Sequence, residues 1–130
     1  MPAGDIIGAV FFILVLFAAL TSAISLAETI ISILCDNAIK YSDEQGIISL
    51  NLYKSGKSIV IDMYNTCEYV DPHSVERIFD RFYRADESRS RETGGYGIGL
   101  SIAKAIVTRH KGKIRAFTNG TTAITFKIIL

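Results

Sequence analysis

The sequence predicts an α+β fold: a two-layer sandwich whose sheet is mostly antiparallel, with helices on one face and a hydrophobic helix ahead of it. Three observations predict it. Residues 6–27, "IIGAVFFILVLFAALTSAISLA", hold no charged side chain over 22 positions. Two pairs of segments alternate apolar and polar residues with the strand period of two, each pair joined by turn residues. Helical spacing recurs before Tyr41 and again at Ile98, Ile102, Ala105 and Ile106. A chain of 130 residues has room for one domain with a modest core.

Taken in order, the apolar run comes first. At 1.5 Å rise per residue it can cross a hydrocarbon layer roughly 30 Å thick, and it lacks the basic leader and short core of a secretory signal. Its apolar character covers every face, which suits lipid better than a small core. Residues 1–28 therefore read as a transmembrane helix, and residues 29–130 as a separate domain. All 14 Lys and Arg lie at or beyond Lys40, while the first 27 residues carry only Asp5. The positive-inside tendency then places the domain in the cytoplasm. "SLAE" at Ser25 fits a capping box, the signal of a helix start, and the sequence leaves open both a new helix there and continuation of the first into Ile30–Tyr41. Residues 46–53 and 58–64 form a hairpin across "KSGK". Residues 72–80, opened by Pro72, suit a short helix, and the polar, Gly-rich residues 83–97 a mobile loop. Residues 98–110 form a second helix. "KIRAFT" and "TAITFKIIL" close the chain as a hairpin turning at Asn119-Gly120.

The net charge of +1 points to neither nucleic acid nor an acidic substrate. Cys35 and Cys67, 32 residues apart, fit neither a disulfide framework nor a zinc site and read as reduced thiols of a cytosolic domain. "GAVFFILVLFAALTSAISLAE" resembles one transmembrane helix of the sodium-coupled neurotransmitter and amino-acid symporters. The resemblance would give Ala18, Thr21 and Ser22 a share in a sodium shell that one helix cannot complete. The plainer reading has these hydroxyls bonded to carbonyls of their own helix.

The chemistry lies further on. Asn37 precedes Lys40 by three residues and Tyr41 by four on an otherwise apolar helix, where an amide without partners costs about 1–3 kcal/mol. An Arg-rich stretch, "RIFDRFYRADESRSR", and "GGYGIGLS", which opens a helix, supply what such a pair lacks. Gly97 and Gly99 let the backbone approach an anion, and the N–H groups of the following helix point at it. Arg84, with Arg81 near it, offers planar donors to phosphate oxygens. Asn37 presents a neutral oxygen suited to Mg²⁺, and Lys40 can reach the same phosphates. The three pieces describe a pocket for a metal-bound nucleotide.

With these motifs in order, residues 29–130 resemble the C-terminal ATP-binding domain of bacterial sensor histidine kinases, the fold shared with gyrase, Hsp90-type chaperones and mismatch-repair ATPases. "DNAIKYS" looks like the N box, "IFDRFYRADESRS" the F box, and "GGYGIGLSIAKAIVTRHKGKI" the G2 box. The resemblance implies the histidine-kinase/Hsp90-like sandwich, with ATP and Mg²⁺ as cofactors and Asn37 reaching the metal through the nucleotide. Lys40 and Tyr41 would line the pocket, with Arg84 and a lid at 84–97 over the phosphates. Gly95, Tyr96, Gly97, Ile98, Gly99 and Leu100 would form the hinge and phosphate contact. "NTCEY" falls where the family has an adenine-reading Asp-x-Gly-x-Gly. Asn65 would therefore accept from the adenine amino group as a neutral, weaker acceptor, with Asp62 as a less apt substitute. Cys67 and Tyr69 replace both glycines, so the loop cannot rely on positive φ.

The resemblance also implies absences. Related ATPases activate water with a glutamate one turn before the N-box asparagine; Ile33 stands there, so transfer to a partner side chain fits better than hydrolysis. His73 and His110 read as surface or helix-end residues. A phosphoacceptor histidine on a dimerisation domain in trans and a response regulator are the partners implied. The strand that precedes the N-box helix is missing, and the apolar segment, joined near residues 25–29, is expected to cover part of the exposed edge.

Overall fold

The computed structural model describes residues 2–83 and 97–130. Helix α1 (Pro2–Tyr41) leads to strands β1 (Ile48–Ser55) and β2 (Ser58–Thr66). A 3₁₀ turn, Val75–Phe79, follows, then helix α2 (Gly99–Arg109), β3 (Lys113–Thr118) and β4 (Ala123–Ile129). The sheet order is β1-β2-β4-β3, and every neighbouring pair is antiparallel.

α1 is one helix of 40 residues, so of the two alternatives at Ser25 it is the continuation of the first helix that occurs. No Gly or Pro lies between residues 9 and 45, and a run rich in Ala, Leu and Ile has nothing to break it. Ser25 instead accepts through its carbonyl from the Thr29 hydroxyl, 2.9 Å away. Thr21 likewise donates to the Phe17 carbonyl at 2.8 Å, the plainer of its two sequence readings.

The helix has two characters. Residues 2–25 are exposed on all sides, and burial begins at Leu26 and Ala27. From there a single stripe, Ile30, Leu34 and Ala38, seals against the sheet. The apolar segment thus projects from the domain and covers none of the sheet edge, contrary to expectation. The reason is geometric: a continuous helix cannot fold back on itself without a break.

On the helix side of the sheet, Ile61 and Met63 of β2, Ala116 of β3, and Ile124, Phe126 and Ile128 of β4 form the core with that stripe. Strand alternation turns their neighbours outward. The β1–β2 hairpin turns through Gly56, at φ 60°. β1 is an edge strand, and its helix-side residues Ile48, Leu50 and Leu52 stay 43%, 44% and 64% exposed. The short helix expected at 72–80 is a five-residue 3₁₀ turn. Val70 is tied to Thr121 by a backbone bond at its start. Phe79 is driven edge-on against Phe126, with ring centroids 6.2 Å apart, at its end.

Leu34 is fully buried and Ile24 half exposed, so the two α1 residues are expected to respond differently to truncation. In chemical denaturation of the detergent-solubilised chain, Leu34→Ala should cost about 2–5 kcal/mol. Ile24→Ala should leave the domain's transition within about 0.5 kcal/mol of wild type.

Candidate functional site

Those of the sequence-predicted site residues that the structure describes lie toward one end of the sandwich. The connection from α1 into β1 brings the helix C-terminus beside the end of β2, where the Ile47 N–H donates to the Thr66 hydroxyl at 2.8 Å. The register sets Asn65 opposite Ile48 and Ile124, so the starts of β1 and β4 share that end.

Asn37 is half-buried on α1. It lies one turn beyond Ile33, whose Cγ2 is 3.6 Å from where a Cβ on Gly99 would stand. Residues four apart share a helix face, so Asn37 belongs to the side of α1 that meets the start of α2. Lys40 places its Nζ over the Tyr41 ring, 5.4 Å from the centroid. This cation–π contact holds the ammonium near the helix end. Tyr41 itself is 40% exposed.

α2 starts at Gly99 with Ile98 as its N-cap, and no side chain caps the first turn among the described residues. The Ser101 hydroxyl turns back to the Ile98 carbonyl at 2.7 Å. Leu100 is buried and anchors the turn, while Ile98 stays partly exposed. Gly97 has φ 69°, and a Cβ there would stand 3.1 Å from the Tyr83 carbonyl oxygen and 3.3 Å from Phe82 Cα. Its own carbonyl accepts from the Phe82 N–H at 3.1 Å. Two constraints therefore select glycine: a left-handed backbone and the closeness of another backbone. Arg84, Gly95 and Tyr96 lie outside the described residues, as does most of the loop expected at 83–97. Arg81 is described and exposed.

Asn65 is the buried polar residue of the site, 1% exposed on the core face of β2. Its Nδ2 donates to the Thr66 carbonyl at 3.0 Å. Only the nitrogen can donate there, so Oδ1 is left turned inward, and among the described residues it has no hydrogen-bond partner. An orphaned amide oxygen in a core is a cost that a ligand donor would remove. Asp62 is not a substitute. It lies three residues back on the opposite face, held by the Tyr53 hydroxyl at 3.0 Å and by Lys127 Nζ at 3.6 Å.

The loop after Asn65 manages without its glycines. Among described residues other than glycine, only Phe82 and Lys111 have positive φ. Cys67 is buried, and its N–H donates to the Thr122 carbonyl. Burial pushes its thiol pKa up, and the nearby Asp43 charge adds to that. Asp71 closes the loop, its carboxylate accepting from the His73 N–H at 3.0 Å. That bond, with one from the Ser74 side chain, holds Asp71 below its ordinary pKa. Sequence reasoning did not find the Phe82–Gly97 bond. The signal available was Gly97 itself, which spacing alone assigned to anion approach rather than to a backbone clamp.

His110 caps α2, its Nδ1 2.9 Å from the Ile106 carbonyl, at the far end of that helix from Gly99. Cys35 and Cys67 are both free thiols.

Residues 22–130 match the family profile described as histidine kinase-, DNA gyrase B- and HSP90-like ATPase. The sensor-like histidine kinase SenX3 of Mycobacterium tuberculosis is 37% identical over 106 residues, covering 82% of this chain and 26% of its own. The signal transduction histidine-protein kinase ArlS of Staphylococcus epidermidis is 41% identical over 101 residues, covering 78% and 22%. This chain spans about a quarter of the length of these relatives. Among solved structures, the mycobacterial sensor histidine kinase MprB superposes with a TM-score of 0.65 at 24% identity, covering 81% of this chain and 70% of that one. ShkA, solved in complex with AMPPNP, gives 0.67 at 21%, covering 80% and 21%. The four-stranded antiparallel sheet with its helices on one face, and the match over residues 22–130, place this chain in the histidine kinase-, DNA gyrase B- and HSP90-like ATPase family.

Proposed function

We propose that the chain is the Mg·ATP-binding catalytic module of a two-component sensor histidine kinase, passing a phosphoryl group to a histidine supplied in trans. The observation that carries this reading is the unpartnered, buried Oδ1 of Asn65. An exocyclic adenine amino group is a donor of the right kind for it. Asn37 and the first turn of α2 stand at the same end of the sandwich, where a metal-bound triphosphate would meet an amide oxygen and open N–H groups. Magnesium brought with the nucleotide would neutralise phosphate charge. Gly97 and Gly99 keep the backbone bare there, and Lys40 adds a cation at the rim. The likeness to ShkA, whose structure contains AMPPNP, supports the same assignment.

The residues also bear on the reaction. Ile33, beside Gly99, can accept no proton, so the site lacks a water-activating base at that position. His110 lies at the opposite end of α2 and His73 in the exposed Asp71 turn, which suits neither to be the phosphoacceptor. α1 is apolar and long enough to cross a membrane. We read it as the anchor that holds the domain on the cytoplasmic side, with a response regulator as the downstream partner.

Titration calorimetry of the full chain with ATP and Mg²⁺ tests the reading. Binding is expected for wild type and lost in Asn37→Ala. Asn65→Leu, which removes the acceptor and keeps the volume, should weaken ATP about tenfold or more. Asn65→Asp should bind ATP at least as tightly as wild type, because a charged acceptor is stronger. Wild-type affinity in Asn65→Leu would end the adenine assignment.

Cys67 offers a second measurement. With its thiol pKa raised by burial, the thiolate is disfavoured, so iodoacetamide at pH 8 should modify it several-fold more slowly in the folded chain than in urea. Mg·ATP is expected to slow that reaction further, because Cys67 follows Asn65 by two residues. An unchanged rate on adding nucleotide would count against a ligand at this loop.

A further inference from the structure

The following connections at the two ends of the sheet differ in charge. At the Asn65 end, the connections 42–47, 67–74 and 119–122 hold Asp43, Glu44, Glu68 and Asp71 and no Lys or Arg. The opposite end is defined by the pairing of Ser55 with Ser58 and of Lys113 with Ile129. Its connections, 56–57 and 110–112, hold Lys57 and Lys111 and no Asp or Glu. Lys54, Arg109 and Lys113 flank them, and all five side chains are exposed. Among the described residues none of the five is paired with a carboxylate. The chain from residue 93 to 130 contains six Lys and Arg and no acidic residue.

The path of α1 gives that end a neighbour. α1 finishes at the Asn65 end and runs back along the sheet, so its apolar extension leaves the domain toward the basic end. The uncharged run ends at Ala27, and Ile30 is already sealed in the core, a rise of about 4.5 Å along the same unbroken helix. No linker separates the domain from whatever holds the apolar run.

We propose that the basic end formed by Lys54, Lys57, Arg109, Lys111 and Lys113 docks on the anionic lipid surface from which α1 emerges. The inference rests on the reading of α1 as a membrane span. Exposed cations within a Debye length of an acidic leaflet gain attraction that salt removes. The domain would be held upright on the bilayer, with the Asn65 end turned to the aqueous side, where nucleotide and partner proteins arrive.

The sequence contains no tryptophan, so one substitution makes a unique probe. Tyr53→Trp reports near the basic end and Tyr69→Trp at the other. The full chain carrying either probe is reconstituted in vesicles containing a nitroxide-headgroup lipid, with phosphatidylcholine alone or with about 30 mol% phosphatidylglycerol. Quenching of Tyr53→Trp is expected to rise at least about twofold with the anionic lipid. About 0.5 M salt should reverse the rise, as should Lys54→Gln, Lys57→Gln, Lys111→Gln and Lys113→Gln combined. Tyr69→Trp should respond to neither lipid charge nor salt. The salt arm keeps the test independent of whether the fourfold variant folds. Equal quenching of Tyr53→Trp in both vesicles, with the chain resisting carbonate extraction, overturns the docking and leaves the membrane span standing. Release of the chain by carbonate overturns both. Salt-sensitive binding of an RNA oligonucleotide, without any response to lipid charge, would assign the patch to another partner and overturn the proposal as well.

Discussion

Three side chains spaced by four residues, Ile30, Leu34 and Ala38, hold α1 to the sheet, and the rest of the molecule takes its orientation from them. Removing a Leu or Ile from water is worth roughly 1.5–3 kcal/mol, so the pair of large residues fixes the helix rotation firmly. Turning α1 by one residue would swing each side chain through about 100°, carrying Asn37 away from the start of α2. The same stripe decides where the helix leaves the domain. Orientation of the amide and exit of the apolar segment are therefore consequences of one packed seam.

A second constraint acts through the backbone. Phe82 and Gly97 are joined by a hydrogen bond, and each has φ above 60°. For Phe82 a left-handed backbone costs about 1–3 kcal/mol, and that cost is borne where Gly97 comes within contact of Tyr83. The result fixes the turn that opens α2, so the uncapped N–H groups and the amide of Asn37 are positioned by separate devices at one end of the fold. Asn65 adds a third, held in place by its own Nδ2 bond. A ligand there would meet groups that are already oriented, which reduces the ordering that binding must offset.

Much of this was legible in the sequence because it rests on periodicity. The two hairpins and α2 follow from alternation, helical spacing and turn residues, and strand β3 falls on the segment "KIRAFT", whereas the β2–β4 pairing that joins the hairpins was not read from the sequence. Asn37 stood out because an amide is unusual on an apolar helix, and Gly97 and Gly99 because they combine with it and the Arg-rich stretch, a Gly-x-Gly before a helix being common by itself. Less legible was whatever depends on tertiary competition. The Ser25 capping box is a local signal, and it lost to uninterrupted helix propensity on both sides. The turn at Val75–Phe79 is shortened by Phe79 seeking Phe126, a partner 47 positions away in the chain. That the apolar segment would stand clear of the sheet also escaped the reading, because periodicity says nothing about which way a helix leaves its domain.

The contrast within α1 carries one more consequence. Over residues 6–27 the helix is apolar on every side, while beyond Ala27 polar residues return and apolar burial narrows to a stripe. A helix wholly apolar is stable where its surroundings are apolar, and a striped one where a single neighbour is. With the apolar part as the proposed membrane anchor, one unbroken helix would join two media with no break between them. Rotation or tilt imposed on the apolar part must reach the Leu34 seam with little loss, and Asn37 sits one turn beyond it. In a protein built this way, the position of the amide relative to the first turn of α2 becomes sensitive to forces applied at the far end of the helix.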